Sequence, residues 1–377
     1  MTSSMETTRP LNICLICSEL LGWGAAGGYG FATRGIAREL AALGHRITAV
    51  IPQPRGKTEQ NFELDGFTVI GYPRRRILDS RAIYRSLNAD IYHSQEPSLS
   101  TYLAQLAAPQ AVHLVTSRDP RDRHDWLIEM RYPTFSRLRL LPTYFFYENP
   151  ATHRAVRHAA RVFVPAHCLV NKVNRKYRLN KAPSFLPTPV RVPEHIRKAS
   201  RPTVCFVGRL DRRKQPERFM ALAPLFPGVD FLVAGSAQDA GYEQELKDSY
   251  GRHGNLQLLG FIDQFADQGL SEVYSRSWIM INTAAREGLP NSFIEAAAHG
   301  CAIISAVDPD GFASRFGVLA KGDGFANALQ ELLDGDRWQE LGQAGRDYVR
   351  ATNSPEVAVA AHLEQYYSAL KTRESNH

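Results

Sequence analysis

The sequence has no long hydrophobic run. Among its 377 residues, no stretch approaches the roughly 18 to 20 apolar residues that a membrane-spanning helix needs, and nothing at its start resembles a secretory signal. We therefore expect a cytoplasmic protein, whose lipid contact would be peripheral, at the inner face of the membrane. Its length exceeds what one hydrophobic core usually serves, which predicts two domains.

Cysteine is scarce and irregularly spaced. The five cysteines are Cys14, Cys17, Cys168, Cys205 and Cys301. An odd, scattered set excludes a disulfide framework and favours a reducing compartment. Cys14 and Cys17 form a C-x-x-C, but they lie inside an apolar run, which favours buried strand cysteines over a redox or metal pair.

Acidic residues are few in the first half of the chain. Residues 1–190 hold 25 Lys and Arg against 14 Asp and Glu, a net charge of +11, whereas residues 191–377 carry −4. The asymmetry indicates an anionic partner for the first half, although a solvated basic surface explains it equally well. Residues 131–147 mix cations with aromatics, which suits a membrane surface or a lipid-linked acceptor, and also an ordinary amphipathic helix. We expect no nucleic-acid partner.

Strands and helices alternate along the chain. The predicted elements of the first half include a strand at Asn12–Cys17, a helix at Phe31–Leu43 and a strand at Ile47–Pro52. A Pro-rich stretch at 186–193 interrupts the pattern, which then restarts with a strand at Val204–Gly208, a helix at Pro216–Leu225 and a strand at Asp230–Ala234. This predicts two Rossmann-like α/β domains, at 1–190 and 191–352. An amphipathic helix within 353–377 is long enough to pack back across both.

A glycine-rich loop follows the first strand. Residues Gly22 to Gly27 match G-x-G-x-x-G, the dinucleotide fingerprint, which also needs a carboxylate at the end of the second strand. The second strand is followed by Gln53 instead. Contact with a phosphate or a sugar at the helix N-terminus is the alternative that we favour, and a purely structural turn stays open.

A second signal begins where the strand ends at Gly208. Arg209 and Lys214 follow, at the carboxyl edge of the sheet, where open α/β folds bind ligands. An arginine fork and a lysine charge suit a diphosphate. Arg212 and Arg213 weaken the signal, because they show that the segment is basic throughout.

A third signal lies after another strand, in REGLPNSFIE at 286–295. Pro290 or Asn291 opens the next helix, and the first-turn amides around Ser292 can receive a phosphate. Glu287 and Glu295 are suited to accept hydrogen bonds from vicinal hydroxyls. The alternative is a solvated loop charge at Glu287 and a helix-favouring charge at Glu295.

Three segments resemble glycosyltransferase family 4, a retaining family with the GT-B fold. That fold consists of two Rossmann-like domains whose parallel sheets face each other across an interdomain cleft. VGRLDRRKQPE is similar to the family's donor-phosphate segment, and EGLPNSFIEAAAHGCAIIS to its E-x7-E motif. GGYGFATRGIARELAALGHRITAV is similar to its glycine loop and the helix that follows.

The resemblance implies a role for each motif. Arg209 and Lys214 would hold the donor diphosphate beside Gly208, Glu287 would contact the transferred sugar, and Glu295 the ribose. The remaining donor-binding residues implied are Gly27, Gly28, Gly288, Leu289, Pro290, Asn291 and Ser292. The family generally needs no metal, so we expect neither a metal nor a cofactor. The donor would be a nucleotide-diphosphate sugar, and the acceptor a sugar, a lipid-linked molecule or a small molecule.

The sequence departs from the family after the strand at Val112–Thr116. Many relatives carry a histidine there, near the sugar and next to an acidic residue. Here Arg118 takes the histidine position and Asp119 is kept. Arg118 and Asp119 are thus candidate catalytic residues, and a surface arginine in a variable loop is the alternative.

Sugar transfer from a diphosphate depends mainly on stabilising the departing charge and on positioning the acceptor. Cations, a helix N-terminus and loop amides supply this without a nucleophilic side chain. Three alternatives stay open: a metal-dependent transferase using Asp308-Pro-Asp310 or Asp334-Gly-Asp336, a sugar-nucleotide epimerase of the same fold, and a non-catalytic nucleotide-sugar-binding protein.

Overall fold

The computed structural model describes residues 9–24, 27–54, 56, 60–133, 137–265, 269–322 and 324–375. The chain divides into two compact units. The first unit comprises Met1–Pro120, Thr143–Pro189 and Ala358–His377, and the second comprises Arg121–Pro142 and Val190–Val357. Residues 121–142 belong with the second unit, and the C-terminal residues from Ala358 belong with the first.

The strands in chain order are β1 Asn12–Ile16, β2 Arg46–Pro52, β3 Asn61–Leu64, β4 Phe67–Tyr72, β5 Ile91–Ser94, β6 Val112–Thr116, β7 Arg161–Val164, β8 Ser184–Phe185, β9 Thr203–Val207, β10 Asp230–Ala234, β11 Leu256–Gly260, β12 Ile279–Asn282, β13 Ala302–Ser305 and β14 Gly317–Leu319.

The α-helices are α1 Gly28–Ala42, α2 Ser80–Leu87, α3 Leu99–Ala107, α4 Arg123–Arg131, α5 Arg137–Tyr147, α6 Pro150–Arg157, α7 Val170–Tyr177, α8 Pro216–Met220, α9 Ala240–Tyr250, α10 Gly269–Arg276, α11 Asn291–Ala298, α12 Phe312–Phe316, α13 Phe325–Leu333, α14 Arg337–Asn353 and α15 Pro355–Glu374.

The first unit is built on one sheet with the strand order β3-β4-β2-β1-β5-β6-β7-β8. All neighbouring strands pair in parallel except β3, which pairs antiparallel with β4. The central strands β5 and β6 are buried along their whole length, as expected of a parallel sheet covered on both faces. Their carboxyl ends therefore lie side by side at one edge of the sheet.

The second unit has a fully parallel sheet with the strand order β11-β10-β9-β12-β13-β14. β9 lies between β10 and β12. The order reverses between these two neighbours of β9, because β10 and β11 extend to one side and β12 to β14 to the other. Such a reversal is where open parallel sheets bind ligands.

Most predicted elements are present, and two differ in extent. The first helix begins at Gly28, three residues before the predicted start, because Gly27 serves as its N-cap. The helix predicted at 216–225 is wrong beyond Met220, where α8 ends and a 3₁₀ turn, Ala223–Leu225, follows. Pro224 has no backbone N–H to continue an α-helix.

The predicted burial is confirmed for Cys14, which lies in β1, and for Cys17, which directly follows that strand. Both are free and buried, and burial raises the pKa of each thiol, which disfavours the reactive thiolate. No helix within the described part of the chain combines the length and the apolar character needed to span a bilayer.

Candidate active site

Two loops meet at the carboxyl ends of β9 and β12. The loop after β9 runs from Gly208 to Gln215, and the loop after β12 begins at Thr283. The Thr283 hydroxyl lies 2.8 Å from the carbonyl oxygen of Lys214 and 2.7 Å from that of Gln215. The amide of Ala285 donates to the carbonyl oxygen of Arg213 at 2.9 Å. These bonds hold the donor-phosphate segment against the loop of the E-x7-E motif.

Lys214 and Glu287 form an ion pair between the two loops. Lys214 Nζ donates to Glu287 Oε1, and the side chains are only 14% and 11% exposed. A Cβ added to Gly208 would lie 3.9 Å from Lys214 Nζ, so the ammonium lies over the end of β9. Glu287 is therefore not the solvated loop charge considered as an alternative.

Asp211 organises the segment that carries both cations, and sequence reasoning gave it no role. Its Oδ1 accepts from the Lys214 amide at 3.0 Å, and its Oδ2 lies 3.5 Å from Arg209 Nε. Aspartate commonly accepts a hydrogen bond from a backbone amide a few residues later and so stabilises a turn. Asp211, in a loop directly after a strand, could have been recognised on that basis.

Arg212 and Arg213 are not equivalent. Arg212 is exposed, lies over the Tyr242 ring at 4.5 Å and pairs with Glu245 at 3.2 Å. Arg213 is buried, with 7% of its surface exposed. The segment is therefore not simply a basic surface, and only Arg212 is a neutral comparison for Arg209 and Lys214.

Gly235 was also missed, and it is required for the close approach of β9 and β10 at their carboxyl ends. It has φ +150°, and a Cβ there would lie 1.8 Å from the carbonyl oxygen of Gly208. Any other residue would push the Gly208 turn away. Its position directly after a predicted strand is the sequence signal that could have indicated it.

Helix α11 begins directly after the second loop. Pro290 is its N-cap residue and cannot cap with its side chain, and Asn291 and Ser292 form the first turn. Gly288 and Leu289 connect Glu287 to this helix. Glu295 Oε2 accepts from the Tyr274 hydroxyl at 3.0 Å, and burial raises the pKa of Glu295, an effect that this hydrogen bond opposes. Glu287 and Glu295 thus lie at the two ends of the segment that opens α11.

In the first unit, Arg118 is buried rather than on a variable surface. It is 7% exposed. Its guanidinium donates to Thr188 Oγ1 at 2.9 Å and to Gln95 Oε1 at 2.8 Å. Burial lowers the pKa of Arg118 to about 10, and the nearby charge of Glu96 raises it. The surface-arginine alternative is therefore wrong.

Glu96, which sequence reasoning did not single out, binds the backbone of the Arg118–Asp119 turn. Its Oε2 accepts from the Arg118 amide at 2.6 Å and from the Asp119 amide at 3.2 Å. Glu96 follows β5 and the turn follows β6, so the parallel pairing of these strands brings them together.

The glycine loop ends at Gly27, the N-cap of α1, and Gly28 is the first residue of that helix. The Gly27 amide donates to Glu19 Oε2 at 2.7 Å. A carboxylate therefore lies at the helix N-terminus, where anions are stabilised. Ala25 and Ala26 lie outside the described residues.

One of the two D-x-D candidates has a structural role. Asp308 caps the start of α12, since its Oδ1 accepts from the amides of Ala313 at 2.8 Å and Ser314 at 3.2 Å. Asp334 accepts from Gln330 Nε2 at 2.7 Å. Neither contact points to a ligand.

The aromatic and basic stretch at 131–147 is described only in part, because residues 134–136 lie outside the described residues. The rest of it includes α5, in which Leu141 and Phe145 are 67% and 65% exposed.

Family comparisons cover most of the chain. The family described as "Glycosyl transferase 4-like domain" matches residues 27–187. The family described as "Glycosyl transferases group 1" matches residues 201–335. A comparison with curated protein sequences gives no significant match.

Solved structures of similar fold match the chain over nearly its whole length. Sucrose-phosphate synthase from Thermosynechococcus elongatus is 20% identical with a TM-score of 0.73, and 96% of this chain and 99% of that one are covered. A glycosyltransferase from Rickettsia africae is 16% identical with a TM-score of 0.69, over 97% and 100% of the two chains. HepE of Anabaena, in complex with UDP-glucose, is 12% identical with a TM-score of 0.69, over 96% and 99%.

These matches and the two parallel-sheet units define the chain as a glycosyltransferase with the GT-B fold. Within that class it belongs to the group 1, family 4-type glycosyltransferases, and the resemblance seen in the sequence is confirmed.

Proposed function

We propose that the protein moves a sugar from a nucleotide-diphosphate sugar to a hydroxyl acceptor, with retention of the anomeric configuration and without a metal ion or other cofactor. The observation that carries the proposal is the ion pair between Lys214 and Glu287 at the carboxyl ends of β9 and β12. It joins the donor-phosphate segment to the E-x7-E motif at the point where the strand order reverses.

The charges at this edge suit a diphosphate. Lys214 and Arg209 supply two cations, and the N-terminus of α11 adds a partial positive charge. An ammonium has three N–H donors, so Lys214 can keep Glu287 and also donate to a phosphate oxygen. Glu287 would then be held beside the sugar that leaves the phosphate, where a carboxylate can accept hydrogen bonds from the sugar hydroxyls.

Fixed cations explain how the reaction could proceed without a metal. The leaving diphosphate gains negative charge as its bond to the sugar breaks, and preorganised cations stabilise that charge more in the transition state than in the intact donor. The UDP-glucose bound to HepE supports a donor of this chemical class. Glu295, beside Tyr274, is proposed to accept from the ribose hydroxyls. Gly27 and Gly28 are proposed to contact the donor phosphate, which would replace the Glu19 carboxylate at the Gly27 amide.

The test begins with thermal stabilisation by UDP, GDP, ADP, CMP and dTDP, followed by sugar forms of the nucleotide that stabilises best. Turnover with candidate acceptors and the anomeric configuration of the product by NMR come next.

Failure of every nucleotide to stabilise the protein contradicts the donor site, and an inverted product contradicts retention. Inhibition by EDTA that Mg²⁺ or Mn²⁺ restores contradicts metal independence. Conversion of the donor without an acceptor supports the epimerase instead.

We further propose that the protein acts in the cytoplasm and contacts the membrane peripherally through its basic first unit. Beyond β4, the exposed arginines Arg74, Arg75, Arg81 and Arg85 lie along a 3₁₀ turn and α2. Leu78 among them is 66% exposed, a combination that suits an anionic lipid surface. A lipid-linked acceptor would be presented at this surface; a soluble sugar or small molecule is the alternative. Flotation with anionic liposomes at low and physiological salt tests the contact, and protein left wholly unbound at low salt contradicts it.

A further inference from the structure

Glu96 is a buried carboxylate next to two proposed site residues. Only 7% of its surface is exposed. It lies two residues beyond Ser94, the last residue of β5, and Ser94 pairs with Val115 of β6. This register places Glu96 beside the turn that carries Arg118 and Asp119.

The contacts of Glu96 fix the backbone of that turn. One carboxylate oxygen, Oε2, accepts both the Arg118 and the Asp119 amides. The Arg118 guanidinium is held separately, by the side chains of Gln95 and Thr188. Both the main chain and the side chain of Arg118 are therefore restrained by neighbours in the first unit.

A neutral amide could accept the same two backbone bonds with a smaller desolvation cost, because burying a charge is costly. The carboxylate adds what an amide lacks, a negative charge that acts electrostatically on Arg118. That charge favours the protonated guanidinium against burial.

We propose that Glu96 is a positioning residue for sugar transfer, whose ionised carboxylate fixes the Arg118–Asp119 turn and supplies the counter-charge for Arg118. The inference rests on the proposed function, since Arg118 and Asp119 are site residues only if that function is correct.

The ionisation of Glu96 gives the inference a specific signature. Burial raises its pKa to about 7, with the charge of Asp119 acting in the same direction. The Arg118 and Asp119 amides and the charge of Lys176 act against this rise, and Tyr177 of α7 also faces the group. The carboxylate is therefore lost as the pH falls through about 7, and turnover should fall with it.

The experiment measures kcat and KM from pH 5.5 to 8.5 for the wild type, E96Q, E96A and D90N. For a single group with a pKa of about 7, wild-type kcat should rise roughly ten-fold between pH 6 and pH 8. E96Q keeps an acceptor for both amides, so it should retain activity within about 10-fold of the wild type and change less than about two-fold over that interval. E96A should show a flat pH profile, about 10²-fold below the wild-type kcat at pH 8, the scale expected when reacting groups are misplaced.

Asp90 provides a matched control. Its carboxylate also accepts a backbone amide, that of Asn12 at 2.8 Å, but it precedes β5 and lies at the amino end of the strands. D90N should therefore keep the wild-type pH profile. A purely structural role for Glu96 predicts instead that E96Q and D90N behave alike.

Hydrogen exchange of the peptide containing residues 117–119 supplies a measurement that needs no turnover. E96A should lose protection there, and E96Q should keep it. Three outcomes each overturn the inference: wild-type kcat in E96A, a wild-type pH profile in E96Q, or unchanged protection in E96A. None of them contradicts the proposed function if the wild type is active. A wild type that binds a sugar nucleotide but transfers no sugar overturns the proposed function. In that case the exchange data alone test whether Glu96 fixes the Arg118–Asp119 turn.

Discussion

The two units hold their charged candidate residues in different ways. In the second unit Arg209, Lys214 and Glu287 are partly exposed and paired with one another or with a neighbouring aspartate. In the first unit Arg118 and Glu96 are buried, and hydrogen bonds to side chains and backbone hold them. The comparison indicates that the cations of the second unit can leave their carboxylate partners to bind an anion. In the first unit, Arg118 and Glu96 are fixed in place before any ligand binds. The predictions below test this contrast.

The largest effect is expected at the cations of the second unit. Arg209→Ala and Lys214→Ala should each lower kcat by on the order of 10²–10³, or about 3–4 kcal/mol, because each removes a fixed charge that stabilises the leaving diphosphate. Steady-state kinetics with the donor identified by thermal shift measures the loss, and circular dichroism checks that the variants are folded.

The matched control is Arg212→Ala, because Arg212 is exposed and pairs only at the surface with Glu245. It should retain nearly full activity. Equal losses at Arg209, Arg212 and Lys214 would mean that the loop acts through its overall charge. Arg213→Ala is unsuitable as a control, since this buried residue can affect folding directly.

The next effect concerns the glutamates of the second unit. Glu287→Ala should mainly lower kcat, and Glu295→Ala should mainly raise the KM for the donor, each by roughly 1.5–3 kcal/mol for a lost charged hydrogen bond. Because Lys214 and Glu287 form an ion pair, the double variant should lose less than the sum of the two single losses. Wild-type kinetics in both glutamate variants would show that the site lies elsewhere. Additive losses in the double variant would show that Glu287 and Lys214 act independently.

A smaller loss is expected at the preformed site of the first unit. Arg118→Ala should reduce kcat/KM by about 10-fold, the lower end of the range for a hydrogen bond to a charged group. Thermal melting must accompany the kinetics, since the substitution leaves Gln95 and Thr188 without their buried partner. Unchanged kinetics in a folded variant would show that Arg118 has a structural role and takes no part in sugar transfer.

The smallest effect is a difference in acid sensitivity between the units. Burial lowers the pKa of four histidines in the first unit, His45, His93, His113 and His362. Their contribution to stability is complete above the unfolded pKa of about 6.5 and is lost as the pH falls towards the folded value, about 4 for His362. Between pH 7.5 and pH 6 the lowered pKa of His362 should reduce the free energy of unfolding by about 1 kcal/mol.

A buried carboxyl group with a raised pKa has the opposite effect, since it stabilises the folded state as the pH falls. Among the described residues, each unit has one such group, Glu96 in the first and Glu295 in the second. The second unit has His299, whose pKa burial lowers to about 4. Hydrogen exchange corrected for its intrinsic pH dependence should therefore show the first unit losing protection before the second. His362→Gln should reduce that difference, and identical acid profiles for the two units would contradict the prediction.

The positions of the main motifs could be predicted because they depend on local rules. A strand that ends in Gly208, basic residues after it, and a loop with Glu287 before a helix are all visible in sequence order. Parallel strands then place such loops at one edge of a sheet. Pairing between residues far apart in sequence was not predictable in the same way. Nothing near Lys214 indicates Glu287 as its partner.

Burial was the least predictable property. Arg118 and Arg213 both lie in polar segments that suggest solvent, yet both are buried. Their environment depends on long-range contacts, such as that between Arg118 and Thr188, which are 70 residues apart. Glu96 escaped notice for the same reason, since it accepts from backbone amides 22 and 23 residues away in sequence.

The C-terminal helix α15 places part of the first unit at the other end of the chain. Its Tyr366 is fully buried among first-unit residues, and the hydroxyl lies 2.8 Å from His93 Nδ1. Domains near the N-terminus generally fold first during synthesis. Here the first unit is translated first, but its core is complete only after the ribosome has made the entire second unit and residues 358–375. Until then the nascent first unit exposes the apolar surface that α15 later covers, so chaperone binding should persist on it throughout translation of the second.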